Sequence, residues 1–212
     1  MTALSSPGGL HPPRPLQAAG IGLWVFMGVG SALFTLFVAA YIMRMESSDW
    51  SSIALPRQLW LSTAWLIAGS LVMQAAAGAA EGAAGRAGVA SHAHRRRATL
   101  LLATGGACAL LFLASQWWAW TALAQARVAW NGNAAASFFY LLTALHGLHV
   151  IGGLIAWGVA WRGLANAADE RAARLIRLCA RYWHFLFGIW LLLFSTLAGV
   201  TPEIVRRICG ID

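Results

Sequence analysis

Residues 137–161 read SFFYLLTALHGLHVIGGLIAWGVAW, a run of 25 residues that contains no Asp, Glu, Lys, Arg or Pro. The hydrocarbon core of a bilayer is about 30 Å thick, and about 20 apolar residues cross it as an α-helix. Lipid offers no hydrogen-bond partner to free backbone groups, so a helix is the structure that this run can adopt there. The run therefore predicts a transmembrane helix.

Four further segments meet the same requirement. With the run above they predict spans at about 18–43, 58–80, 99–124, 137–161 and 180–200, none of which contains proline. Residues 1–17 are predicted to be a flexible cytoplasmic segment, residues 81–97 the longest poorly structured connection, and residues 201–212 a short tail. The predicted fold is all-α, an integral membrane bundle of five transmembrane helices.

Composition and charge agree with a membrane protein. Of 212 residues, 59% are hydrophobic and 10% are charged, which is too apolar for a soluble domain of this size. All 15 basic residues are arginine, and they lie between the apolar runs instead of along one face. This placement favours attraction to anionic lipid head groups, and we expect no nucleic-acid partner.

The arginines also predict the orientation of the chain. Five spans put the N-terminus on the same side as the second and fourth connections. That side holds ten arginines and the other side five, namely Arg44, Arg57, Arg127, Arg206 and Arg207. Positive charge is retained on the cytoplasmic side of membrane proteins, so we expect a cytoplasmic N-terminus and a periplasmic C-terminus.

Three histidines are the ionisable residues well inside the predicted spans. No Asp or Glu lies there, which argues against proton relay through this chain. His146 and His149 lie near the middle of the fourth span, and His184 is placed at the start of the fifth. Imidazole is a common ligand of haem and metals, but this difference in depth favours interhelical hydrogen bonding. A haem b-binding membrane cytochrome remains an alternative.

A second motif accompanies the first. Residues 182–194 read YWHFLFGIWLLLF. Together with residues 137–161 they resemble two signature segments of haem–copper oxidase subunit III, the cytochrome c oxidase subunit III family. There, an HGxHVxxG-type helix is followed by a helix that opens with WHF and then carries a tryptophan. Residues 22–24, GLW, with Phe34 and Tyr41, resemble the first shared helix of the five-helix form of the family.

The resemblance implies a non-catalytic subunit of a terminal oxidase in the bacterial inner membrane. It implies packing against the catalytic subunit I among other oxidase subunits, bound structural phospholipid, and haem and copper held in partner subunits. No catalytic, cofactor-binding or metal-binding residue is expected in this chain. The residues expected to pack helices or line the lipid cleft are Trp24, His146, Gly147, His149, Gly153, Trp183, His184, Phe185 and Trp190. Those expected to bind lipid head groups are Arg95, Arg96 and Arg97.

The chain departs from the family pattern where carboxylates are usual. The buried carboxylate of the first shared helix corresponds to Gly30, later acids to Gln116 and Ala119, and the aspartate after WHF to Phe187. Roles of those acids in proton delivery are therefore not carried over to this chain. These departures leave open a subunit III-like accessory protein of nitric oxide reductase.

Overall fold

The computed structural model of the protein describes residues 15–47, 50–51, 53, 55–128, 133–166, 169–201 and 203–204. This part of the chain forms five helices: α1 (Pro15–Arg44), α2 (Gln58–Ala84), α3 (Val89–Gln125), α4 (Ala134–Asn166) and α5 (Asp169–Gly199). All five are long and apolar enough to cross a membrane, which confirms the predicted all-α bundle. Residues 1–14 of the predicted flexible segment, and most of the predicted tail, lie outside the described residues.

The connection predicted over residues 81–97 is wrong. Glu81 belongs to α2, the chain turns within residues 85–88, and α3 begins at Val89. Gly88 adopts a positive φ of 66°, which glycine tolerates without the steric cost of a side chain. The prediction failed because apolarity marks only the part of a helix inside lipid. Alanine and arginine, abundant in this segment, both have high helix propensity outside it.

α5 likewise begins earlier than predicted, at Asp169 instead of residue 180. Its first three turns are amphipathic, since Ala172, Ile176 and Cys179 are buried while Arg174 and the other arginines between them are exposed. The placement of His184 at the start of the fifth helix is therefore wrong. His184 lies near the middle of α5.

Four of the helices pack closely, and α1 lies against one side of them. The most extensive contact joins α2 and α3, followed by α2 with α5 and α4 with α5. A Cβ atom at Gly106 of α3 would lie 2.6 Å from the Trp157 ring of α4, and one at Gly153 of α4 would lie 3.0 Å from Leu186 of α5. Glycine at these two positions allows the helices to approach closely. α1 makes smaller contacts, with α4 and α5.

Two ion pairs join the helices at the arginine-rich end of the bundle. Arg95 of α3 binds the Asp169 carboxylate at the start of α5 and also donates to the carbonyl of Leu164 in α4. Arg177 of α5 lies 2.8 Å from Glu81 of α2, and both side chains are about half exposed. Exposed ion pairs contribute little stability, so their main effect is to define the register of these helix ends.

Candidate functional site

His146 lies at the centre of the bundle inside a box of aromatic rings. Its side chain is fully buried, with ring centroids 5.2 Å from Trp190, 5.6 Å from Phe112 and 6.3 Å from Phe34. Within the described residues neither ring nitrogen has a hydrogen-bond partner. The imidazole therefore acts here as one more ring in a packed aromatic core.

A layer of hydrogen bonds next to this box joins three helices. The Trp190 indole of α5 donates to the Thr63 hydroxyl of α2 over 2.8 Å, and the Gln116 amide of α3 donates to the Ser62 hydroxyl of α2 over 3.0 Å. Both hydroxyls in turn donate to the Leu59 carbonyl. Trp190 and Gln116 thus fix α5 and α3 against the same turn of α2.

His149 faces α1 instead of the central box. Its Nδ1 lies 2.8 Å from the Leu145 carbonyl of its own helix, and its ring centroid is 5.1 Å from that of Phe34. The Tyr182 hydroxyl of α5 donates to the His149 carbonyl over 3.1 Å. A Cβ atom at Gly30 would lie 3.8 Å from His149 Nε2. The position where the family usually has a buried carboxylate is therefore next to this histidine.

His184 lies on a different side of α5, against α2. Its Nδ1 is 2.5 Å from the Ser70 hydroxyl and its Nε2 is 3.0 Å from the Gln74 side-chain oxygen. Tyr182 bonds to His149, so His184 is level with His149, contrary to the predicted difference in depth. The two histidines are nevertheless separated by α5 itself. No group of three or more His, Cys, Asp or Glu residues suited to a metal occurs in the described part of the chain.

An apolar cleft of about 360 Å³ opens between α1, α4 and α5. Its walls include Leu23 and Phe26 of α1, Gly152 of α4, and Tyr182 of α5. Beside it, the Arg181 guanidinium lies 5.6 Å from the centroid of the exposed Trp24 indole, in cation–π contact. Of the residues predicted to pack or line a cleft, Phe185 stacks on the Tyr182 wall of this one, and Trp24 follows its wall residue Leu23 in sequence.

The other predicted residues are distributed between the core and the surface. Trp183 is buried, and a Cβ atom at Gly147 would lie 3.9 Å from Leu113, in ordinary contact distance. Arg96 and Arg97 are exposed, whereas the partly buried Arg95 forms the ion pair with Asp169. The positions at which the family usually has an acidic residue lie inside the bundle in this chain. Gln116 and Ala119 are buried, and Phe187 packs against the core.

Sequence reasoning missed the polar partners on α2. Thr63, Ser70 and Gln74 each form a hydrogen bond with a side chain of α5, either Trp190 or His184. Gln74 carried the clearest signal, because it is the one amide inside a run of apolar and small residues from Leu59 to Ala80. An amide within a membrane span needs a partner, and the sequence did not identify which helix would provide it.

Comparison with known proteins identifies the family. A model described as cytochrome c oxidase subunit III matches residues 73–198, more than half of the chain. The chain belongs to the cytochrome c oxidase subunit III family. The match begins in α2 and ends in α5, so it includes both histidine motifs and the whole of α3 and α4.

Curated members of the family match shorter stretches. Cytochrome c oxidase subunit 3 of Thermostichus vulcanus is 40% identical over 74 residues, which are 32% of this chain and 35% of that protein. Probable cytochrome c oxidase subunit 3 of Nocardia farcinica is 34% identical over 87 residues, 41% of this chain and 43% of that protein. The subunit 3 of Synechocystis is 34% identical over 90 residues, 42% and 37% of the two chains. The chain thus matches these relatives over roughly a third to two-fifths of their length.

The unpartnered nitrogens of His146 make a prediction about stability. His146→Phe removes two buried polar atoms and keeps a planar ring against Trp190, so we expect a thermal unfolding midpoint in detergent equal to or above that of the unchanged protein. As a control, Trp190→Phe removes the bond to Thr63 and part of a fully buried ring, so it should cost more than about 1 kcal/mol. A clear loss of stability in His146→Phe would show that the imidazole has a partner.

Proposed function

We propose that this chain is the non-catalytic subunit III of a haem–copper terminal oxidase and stabilises the catalytic subunit I. The observation that carries the proposal is the subunit III family match over residues 73–198, which covers both histidine-bearing helices. The relatives named above are cytochrome c oxidase subunits 3, which supports an oxidase over a nitric oxide reductase.

In this proposal haem and copper are held by the partner subunits. The surroundings of the three histidines support that assignment over a haem b-binding cytochrome. His146 is enclosed by rings with centroids 5.2–6.3 Å away, which occupy the space that a haem plane would need beside an axial imidazole. His149 and His184 each bond to groups within the bundle and face different helices.

Purification of the chain from its native membrane tests this function. A tag on the chain, used in mild detergent, should recover a haem-containing polypeptide together with it, and the spectrum should show a Soret band. The same tagged chain expressed alone should be colourless. Recovery of the native chain without any haem-containing polypeptide would contradict the proposal. Recovery with a nitric oxide reductase would instead assign it to that enzyme.

We further propose that the protein lies in the bacterial inner membrane with its N-terminus in the cytoplasm. The five membrane-crossing helices make it a multi-pass membrane protein, and the relatives named above are bacterial. α3 extends from Val89 through Arg95, Arg96 and Arg97 before its apolar part, so these charges lie at one end of the bundle with the ion pairs of α5. The positive-inside rule assigns that end to the cytoplasm.

A reporter fusion tests the orientation. Alkaline phosphatase folds actively outside the cytoplasm, so a fusion after Ile204 should be active and a fusion in the 85–88 turn inactive. The turn provides the matched control because it lies at the arginine-rich end of the same chain. The reverse pattern of activity would overturn the orientation.

The third part of the proposal is a bound phospholipid in the cleft between α1, α4 and α5. The lining of this cleft is almost entirely apolar, which suits an acyl chain, and its volume of about 360 Å³ matches part of one lipid. Arg181 lies on Trp24 beside the cleft and provides a cation for a phosphate. The exposed Arg96 and Arg97 are proposed to contact further head groups at the same end of the bundle.

Arg181→Gln tests the lipid site. The substitution removes the cation beside the cleft, so native mass spectrometry should find fewer retained anionic phospholipids. Arg171→Gln is the control, because Arg171 is exposed in the first turn of the same helix. Equal lipid retention in both variants would refute the assignment of the phosphate to Arg181.

A further inference from the structure

One exposed surface of the bundle carries polar groups inside the apolar layer. We call it the α2–α5 face and define it by Ile67, Leu71 and Gln74 of α2 with His184, Gly188 and Leu191 of α5. All six are exposed. The helices are antiparallel and Gln74 bonds to His184, so this register puts Ile67, seven residues earlier in α2, level with Leu191, seven residues later in α5.

Contacts at both ends of this face establish its depth. Trp60 packs edge-on against Phe194 at one end, with centroids 4.9 Å apart, and Glu81 pairs with Arg177 at the other. The 21 steps along the helix from Trp60 to Glu81 rise about 31 Å at 1.5 Å each, which is close to the hydrocarbon thickness. Gln74 lies seven residues, about 10 Å, inward from Glu81. The Gln74–His184 pair is therefore at the depth of the acyl chains.

One polar group of this pair has no hydrogen-bond partner among the described residues. The Gln74 oxygen accepts from His184 Nε2–H, which leaves His184 Nδ1 to accept the Ser70 hydroxyl proton. The Gln74 amide nitrogen then has no acceptor among the described residues. Either orientation of the amide leaves one of its two polar groups directed away from His184.

Three hydroxyl side chains in the spans do not have this deficit. The hydroxyls of Thr35, Thr104 and Thr121 each donate to a carbonyl three or four residues earlier in their own helix. These residues are compatible with surrounding lipid because their donors are already satisfied. An amide with free donors in hydrocarbon costs free energy, since acyl chains contain no acceptor.

We propose that the α2–α5 face binds a transmembrane helix of another subunit, and that the Gln74 amide donates to an acceptor on that helix. The proposal rests on the proposed function, which supplies a partner within the same membrane complex. Gly188 lies on this face, and a Cβ atom there would meet nothing within 4 Å. The resulting notch allows a partner backbone to approach Gln74, while Ile67 and Leu191 provide flanking apolar contact.

Charge favours a different subunit over a second copy of this chain. A symmetric copy in the same membrane would bring Arg174 opposite the same arginine at the same depth, which is repulsive, whereas Arg177 is already paired with Glu81. Both arginines are exposed on α5. The partner helix is therefore one with neutral or acidic residues at the arginine-rich end and a carbonyl, hydroxyl or carboxylate oxygen about 10 Å deeper.

Gln74→Leu distinguishes a face covered by protein from one covered by lipid, because the two arrangements predict different changes in the recovery of the haem-containing polypeptide. With a partner helix, the variant should recover three- to tenfold less of the haem-containing polypeptide, the effect of one intramembrane hydrogen bond. With lipid at this face, removal of the amide should leave that recovery unchanged or improved, which would overturn the proposal. Thr104→Val on α3 is the control and should not change it, since its hydroxyl bonds to Leu100. Thermal unfolding of each chain expressed alone checks that both variants fold.

Cross-linking then identifies the occupant. A photoreactive benzoylphenylalanine in place of Leu71 should form an adduct with a transmembrane peptide of the haem-containing polypeptide, and one in place of the exposed Leu110 of α3 should not. Adducts only with lipid, only with a second copy, or only from position 110 would overturn the docking face while leaving subunit III function intact. Absence of any haem-containing polypeptide from the native preparation would overturn both.

Discussion

Hydrocarbon offers no hydrogen-bond partner, and this constraint accounts for the hydrogen bonds between the helices, with the unpartnered imidazole of His146 as an exception. Backbone groups satisfy it within helices, and threonine hydroxyls such as that of Thr104 satisfy it by bonding to their own helix. Longer side chains reach the next helix instead, as Trp190 does with Thr63 and Gln116 with Ser62. The second kind of bond holds α2, α3 and α5 in one arrangement.

The three histidines illustrate how one residue type serves different structural purposes. His146 is surrounded by aromatic rings, His149 bonds to its own helix and faces α1, and His184 bonds to two side chains of α2. They are close in depth but lie on separate sides of the helices that carry them. In this chain, His146 and Trp190 of the two motifs pack the helices of the bundle against one another.

The helices of the bundle differ in how closely they pack, and the proposed lipid and protein contacts lie where the packing leaves a cleft or an unpaired polar group. α2 to α5 pack closely, whereas α1 makes smaller contacts and leaves a cleft beside Tyr182. On another side, the Gln74 amide nitrogen of the α2–α5 face has no acceptor among the described residues. An apolar cleft suits the acyl chain of a lipid. An unpaired amide suits a protein partner, because the amide requires a hydrogen-bond acceptor that acyl chains do not provide.

The sequence by itself determined the five spans and the family, since crossing a bilayer depends on local length and apolarity and the motifs are contiguous. It did not predict where α3 and α5 begin, because apolarity marks only the part of a helix inside lipid, and the first turns of both helices lie at the arginine-rich end of the bundle. Nor could it assign the partner of His184. That depends on the rotation and register of α2 against α5, which are set by contacts between residues more than 100 positions apart.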